Sequence, residues 1–174
     1  MAENKLKFTD IITFLDEWVS FLSDQSVCEN CLWFGAPLSQ SALELQQVPD
    51  ANCDCSFVFI SNYSYAYSDT YHPTTEILTS RYVTHSFTME LLRHDNIAKN
   101  NYNEIETYPI NESRWATIFK PLQDCFNRDN LFEFCELLGY NIKVLGWNAN
   151  IIILKTSNNY SGWSVNVILK ERIL

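Results

Sequence analysis

Apolar positions along this chain repeat with two different periods, and each period marks a different element. Between Asp10 and Ser23, residues Ile11, Phe14, Leu15, Trp18 and Leu22 fall at i, i+3, i+4, i+7 and i+11. That spacing puts one apolar stripe on a helix. Ile12 and Val19 widen the stripe. Thr9 stands where an N-cap is expected, with Asp10 in the first turn. Cys28 to Pro37 has no period and reads as irregular. Ser39 to Gln47 fits a short helix or an extended arm, and Pro49-Asp50-Ala51-Asn52 is a turn signal. Ser56 to Ser61 is apolar on both faces, as in a strand inside a sheet. From Tyr82 to Leu91 the period is two: Val83, His85, Phe87, Met89 and Leu91 point one way, and Tyr82, Thr84, Ser86, Thr88 and Glu90 the other. This predicts a long, half-buried antiparallel strand.

Asp95 to Asn111 is Asn-rich and reads as a loop or arm. Asn111 then caps a predicted helix from Glu112 to about Asn127, with Trp115, Ile118, Phe119, Leu122, Cys125 and Phe126 as its apolar stripe. Pro121 inside it is expected to kink or interrupt the helix. A shorter helix, Asn130 to Leu138, stops at Gly139. Three strands follow, Tyr140 to Trp147, Ile151 to Thr156 and Trp163 to Glu171, joined by turns at Asn148-Ala149-Asn150 and at 157–162. The order predicts an α+β domain. A mostly antiparallel β-sheet with a long hairpin packs against an N-terminal helix and two central helices. One domain is expected over residues 1–174, with a projecting hairpin or loop at about 57–91.

The segment from Asn62 to Ser80 carries Tyr63, Tyr65, Tyr67 and Tyr71 among serines and threonines. Tyrosine provides a large contact area at low entropic cost, and Ser and Asn add adaptable hydrogen bonds. A long loop inside a compact domain is uncommon unless it is functional. These four tyrosines are therefore the expected protein-binding residues. Tyr63, Tyr65 and Tyr67 alternate, so in extended form they share one face and suit an added edge strand or hairpin. Trp115 and Phe119 are expected in the core.

Charge narrows the partners. The net charge is −9, and no basic cluster offers the footprint a nucleic-acid binder needs. An acidic wall can still surround DNA without binding it. No apolar run approaches the length of a membrane-spanning helix. The start, Met1 to Phe8, lacks the pattern of a signal peptide. Cytosolic synthesis and six reduced cysteines are expected on that ground.

Catalytic and cofactor motifs are sparse. Only 4 glycines occur, and none forms a phosphate-cradling loop or a nucleophile elbow. No cofactor is expected. Cys28 and Cys31 form a C-x-x-C pair, and Cys53 and Cys55 a C-x-C pair. Four thiolates would suit a tetrahedral zinc site. C-x-x-C is the usual second pair, however, and reduced cysteines also pack as small hydrophobes. His85 lies on the apolar face of its strand, with no acidic partner at useful sequence spacing, since Glu90 faces the other way. His72 and His94 lack one too. Asp16-Glu17, Glu104 with Glu106, and Glu133 with Glu136 read as solvated faces. The expected protein is not an enzyme.

The layout resembles the small adaptor proteins at the neck of tailed bacteriophages, the tail-terminator or head–tail connector class. The likeness lies in the N-terminal helix (Ile11 to Leu22), the hairpin (Phe57 to Leu91), the further helix (Trp115 to Phe126) and the closing strands (Ile151 to Leu169). It implies a ring-forming virion subunit, made in the bacterial cytoplasm, that joins neighbouring proteins around a DNA passage. The segment 95–111 and the four paired cysteines have no counterpart there. Two other readings stay open: a cytosolic acidic adaptor or immunity-type binding module, and a small zinc-binding protein.

Overall fold

The computed structural model describes residues 10–24, 32–37, 56–94, 112–154 and 160–174. Expectations for Thr9, 39–47, the turn at 49–52, the segment 95–111 with Asn111, and 155–159 lie outside the described residues.

Helix α1 spans Ile11–Asp24 and buries Ile11, Phe14, Leu15, Trp18, Val19 and Leu22, the stripe expected from its spacing. Asp10 takes the capping role that the sequence assigns to Thr9. Its carboxylate accepts the Thr13 N–H at 2.7 Å and the Thr13 hydroxyl at 2.8 Å. These bonds, that from the Thr13 N–H first, hold the Asp10 carboxyl below its ordinary pKa.

Five strands form one sheet among the described residues: β1 (Leu32–Pro37), β2 (Ser56–Tyr71), β3 (Leu78–His94), β4 (Ile142–Leu154) and β5 (Tyr160–Arg172). Their order is β1-β2-β3-β5-β4. All pairings are antiparallel except β1 with β2. The fold is therefore α+β with a mostly antiparallel sheet. On β3, Val83, His85, Phe87, Met89 and Leu91 are all buried, as the period-2 pattern requires. Of these, Phe87, Met89 and Leu91 join α1 and the central helices in one core, where edge-to-face aromatic pairs include Phe14–Phe134 and Trp18–Phe126.

The central helix α2 is continuous: Glu112–Arg114, a π-helical stretch Trp115–Phe119, then Lys120–Cys125. Pro121 lies in the first turn of the last segment. Proline has no N–H for the carbonyl four residues back. The Thr117 carbonyl instead accepts from Arg93 at 3.1 Å. Local π geometry thus absorbs the proline. Helix α3 spans Arg128–Leu137 and is capped by the Asn127 side chain, which accepts the Asn130 N–H at 2.9 Å. It ends as the sequence predicts. Gly139 has φ +74°, its N–H bonds the Glu136 carbonyl, and the Tyr140 N–H bonds the Cys135 carbonyl, which is a Schellman closure.

Four expectations need correction. Leu32–Pro37, read as irregular, is an edge strand paired in parallel with β2. The tyrosine-rich segment is mostly strand rather than loop, since β2 runs to Tyr71. Asn148-Ala149-Asn150 is no turn: β4 continues through it, with these residues opposite Asn166, Val165 and Ser164. Ladder pairing with a central strand outweighs a local turn preference. Finally, Trp115 is 37% exposed whereas Phe119 is fully buried; one lies at the rim of the core, the other inside it.

Candidate protein interface

The side of the hairpin on which its tyrosines stand is set by a bulge. Val58 and Ile60 pair with Leu91 and Met89 and point into the core. Strict alternation would keep even-numbered residues on that face. The register shifts between Ser61 and Ser64, where Asn62 adopts φ +53°. Asparagine tolerates this left-handed conformation better than most residues. One extra residue in β2 moves the odd-numbered positions to the core-side face. Tyr65 and Tyr67 then stand opposite the buried His85 and Val83.

The described helices leave this face exposed. Tyr63 is 37% exposed, Tyr65 60%, Tyr67 64% and Tyr71 55%. The first three form a ladder, with ring centroids 6.3 Å apart between Tyr63 and Tyr65 and 5.9 Å between Tyr65 and Tyr67. The structure thus brings together three of the four tyrosines singled out by the sequence. Tyr71 stands farther out, near the tip, bonded to Asp69 at 3.4 Å.

The root of the ladder is anchored in the core. Tyr63 stacks on His85 with rings 16° from parallel, and its hydroxyl lies 2.9 Å from Nδ1. His85 Nε2 lies 3.3 Å from the buried Glu171 carboxylate. With the imidazole proton on Nε2, the ring donates to Glu171 and accepts from Tyr63. Glu171 is the acidic partner that the sequence did not reveal for His85. It comes from β5, 86 residues away, and only strand order makes them neighbours. Burial and nearby phenol and carboxylate charges push the Tyr63 hydroxyl above its ordinary pKa. That disfavours a tyrosinate nucleophile and suits an anchor. His85→Leu removes the donor to Glu171 and the acceptor for Tyr63. We expect it to cost about 1–3 kcal/mol in urea unfolding; an unchanged midpoint would show that the relay carries no stability.

Farther out the arm is pinned again. Arg81 donates to both Asp69 oxygens, at 2.8 and 2.9 Å. At the turn, His72 Nδ1 accepts from the Thr74 and Thr75 amides, and the Thr79 hydroxyl donates to the Thr70 carbonyl at 2.8 Å. His72 is thus a turn residue. Bidentate pairing and side-chain turn bonds favour a rigid arm.

The other candidate chemistries fare differently. Cys28, Cys31, Cys53 and Cys55, and the His94 side chain, lie outside the described residues. Among the described residues no group of three His, Cys, Asp or Glu side chains is placed to hold a metal. Asp16, Glu17, Glu133 and Glu136 are exposed, as expected of solvated faces. Burial pushes the Cys135 thiol up to about 12, so it stays protonated and inert. No described helix is long and apolar enough to cross a membrane.

A cavity of about 340 Å³ opens between the α2–α3 junction and the β4–β5 face, with Trp147 and Trp163 among its walls. Sequence periodicity did not single it out. A second bulge, between Val144 and Gly146, lets both Val144 and Trp147 face the helices. No protein-family model matches the chain, and no curated protein matches it.

Proposed function

We propose that this chain is a non-enzymatic assembly protein that binds other protein subunits through the tyrosine face of its hairpin. The layout further supports a ring-forming subunit of a phage neck or tail, a tail terminator or connector around a DNA passage. The observation that carries the proposal is the ladder of Tyr63, Tyr65 and Tyr67, exposed yet held in register by a bulge and a buried anchor. Rigid aromatic anchors lose little entropy on binding.

Native mass spectrometry tests the reading. The wild-type chain should form a closed oligomer. Tyr65→Ala combined with Tyr67→Ala should stay monomeric, because truncating a central interface aromatic costs about 2 kcal/mol or more of binding. Both side chains are largely exposed, so folding stability should drop by less than about 1 kcal/mol. Wild-type assembly by this double variant would refute the assignment. An acidic adaptor docked on a basic partner would dissociate steeply as salt rises; a tyrosine-lined contact should persist.

A further inference from the structure

We propose that the basic back of the sheet receives the acidic helical side of a second copy of this chain, so that copies stack front to back. The inference rests on the assembly reading and names the surface that the tyrosines meet.

The described helices lie on one face of the sheet. On the other face Phe57, Leu92 and Tyr160 are buried at the His94 end. Toward the hairpin this back face opens and turns basic. Lys143 pairs directly with Lys170 across β4 and β5. Their strand neighbours Ile142, Val144, Leu169 and Glu171 are buried on the core side, so both lysines stand on the back. Lys170 lies over the Tyr82 ring, 4.2 Å from its centroid. Arg172 extends the patch, its Nε donating to the Leu174 oxygen at 3.1 Å. Like charges directly opposite each other on a ladder repel, and an anion from outside the sheet would relieve that. Glu90, the acid of β3 on this face, is six positions from Thr84, the partner of Lys170, or about 20 Å away. Beside the lysines Ile168 is 39% exposed and Leu145, at the bulge, 53%. The described stretches that stop at His94 and Leu154 end opposite Tyr160, ten residues along β5 from Lys170, or about 33 Å.

The same chain carries the complement on its helical side. Helix α1 has no basic residue and exposes Asp16 and Asp24. On α3, Asp129, Phe132, Glu133, Glu136 and Leu137 fall at i, i+3, i+4, i+7 and i+8, opposite the buried Leu131, Phe134 and Cys135. All five are exposed. Acidic groups among apolar side chains thus match basic groups among apolar side chains. The two surfaces lie on opposite sides of a two-layer domain, so one molecule cannot join its own. A phosphate backbone would match the lysines but offer nothing apolar to Ile168 and Leu145. Two copies at net charge −9 repel wherever acid meets acid; front-to-back stacking sets acid against base.

The tyrosines reach the same contact. Tyr65 and Tyr67 stand opposite His85 and Val83, on the side of the sheet that holds the helices. A neighbour stacked on that side presents the back of its hairpin to them. There Ser64, Ala66 and Ser68 pair with Ser86, Thr84 and Tyr82. The small side chains leave room for rings, and their hydroxyls suit phenols. Such a contact is heterologous and closes into a ring where the rotation allows.

Charge reversal tests the proposal on the full chain, with oligomer mass at low ionic strength as the readout. Lys143→Glu with Lys170→Glu reverses the back, and Glu133→Lys with Glu136→Lys reverses the front. Each variant alone should self-associate at least about tenfold more weakly than wild type, since like charges then face each other. Mixed, the two should co-assemble in alternation. A chain with all four substitutions should regain association to within about threefold of wild type. Such rescue separates a contact from a folding defect. Wild-type association by either reversed variant overturns the proposal, as does a failure of both the mixture and the fourfold variant to recover. If Tyr65→Ala with Tyr67→Ala abolishes assembly in that case, the assembly reading stands with a different receiving surface. A monomeric wild type also overturns the proposal. So does a Lys143→Glu, Lys170→Glu protein that loses binding to a DNA duplex while self-associating normally, which assigns the back to a polyanion.

Discussion

Gly162→Ala should destabilise the folded chain by about 3 kcal/mol or more. Gly162 sits in β5, the strand between β3 and β4, opposite Leu92 on one side and Ile152 on the other. A methyl group there would lie 1.8 Å from the Leu91 carbonyl oxygen and 2.9 Å from its carbon. Both are backbone atoms of β3, which is tied on its two sides by β2 and β5. No rotamer change moves them; the strands must separate, breaking ladder bonds. The Leu122 side chain, at 3.1 Å, adds a further contact from α2. Gly146→Ala is the matched control. Its methyl would meet only the Ile168 side chain, at 3.3 Å, and Ile168 is 39% exposed and free to shift. It should cost less than about 1 kcal/mol. For a chain of this size, 3 kcal/mol corresponds to a fall of about 6–12 °C in Tm. A Gly162→Ala protein that melts with the wild type would mean that β3 and β5 are not packed as described.

Phe119→Ala should cost about 3–5 kcal/mol. Trp115→Ala, a larger truncation one helical turn away, should cost only about 1–2 kcal/mol. Phe119 is fully buried in the core, against the Trp163 ring at 5.8 Å. Removing its ring leaves a cavity under a helix, and the π-helical stretch around it leaves little room to collapse. Trp115 lies at the rim, already partly in water, touching Phe119 at 6.3 Å and Trp163 at 6.2 Å. Its loss removes two aromatic contacts without opening an enclosed void. Urea unfolding of the two variants separates these cases. Equal costs would place Trp115 inside the core, where its helical spacing alone would put it.

That reversal shows how far periodicity reaches. A stripe at i, i+3, i+4 marks a face but not the depth of each member. Depth depends on what the facing layer supplies, and at Trp115 the layer is running out. The tyrosine face has the same history. Spacing of two placed Tyr63, Tyr65 and Tyr67 on one side of an extended segment. It left open which side, because the single extra residue at Asn62 inverts the alternation and a lone asparagine carries no such signal.

By itself the sequence determined the parts whose burial pattern is local. These are α1 with its apolar stripe, β3 with its strict alternation, the closure of α3 at Gly139, the α+β class, and the tyrosine row as a candidate contact surface. Each follows from periods of 3.6 or 2, or from one residue's backbone freedom, all legible within a short window. Tertiary structure decided the rest. The ladder with β5 carried β4 through Asn148-Ala149-Asn150. Strand order set Glu171 beside His85, and two bulges aimed Tyr63 and Trp147. Helix packing formed the cavity at Trp163. These depend on pairing between residues far apart in the chain, where a shift of one position turns every side chain to the opposite face, and no local window of sequence records that shift.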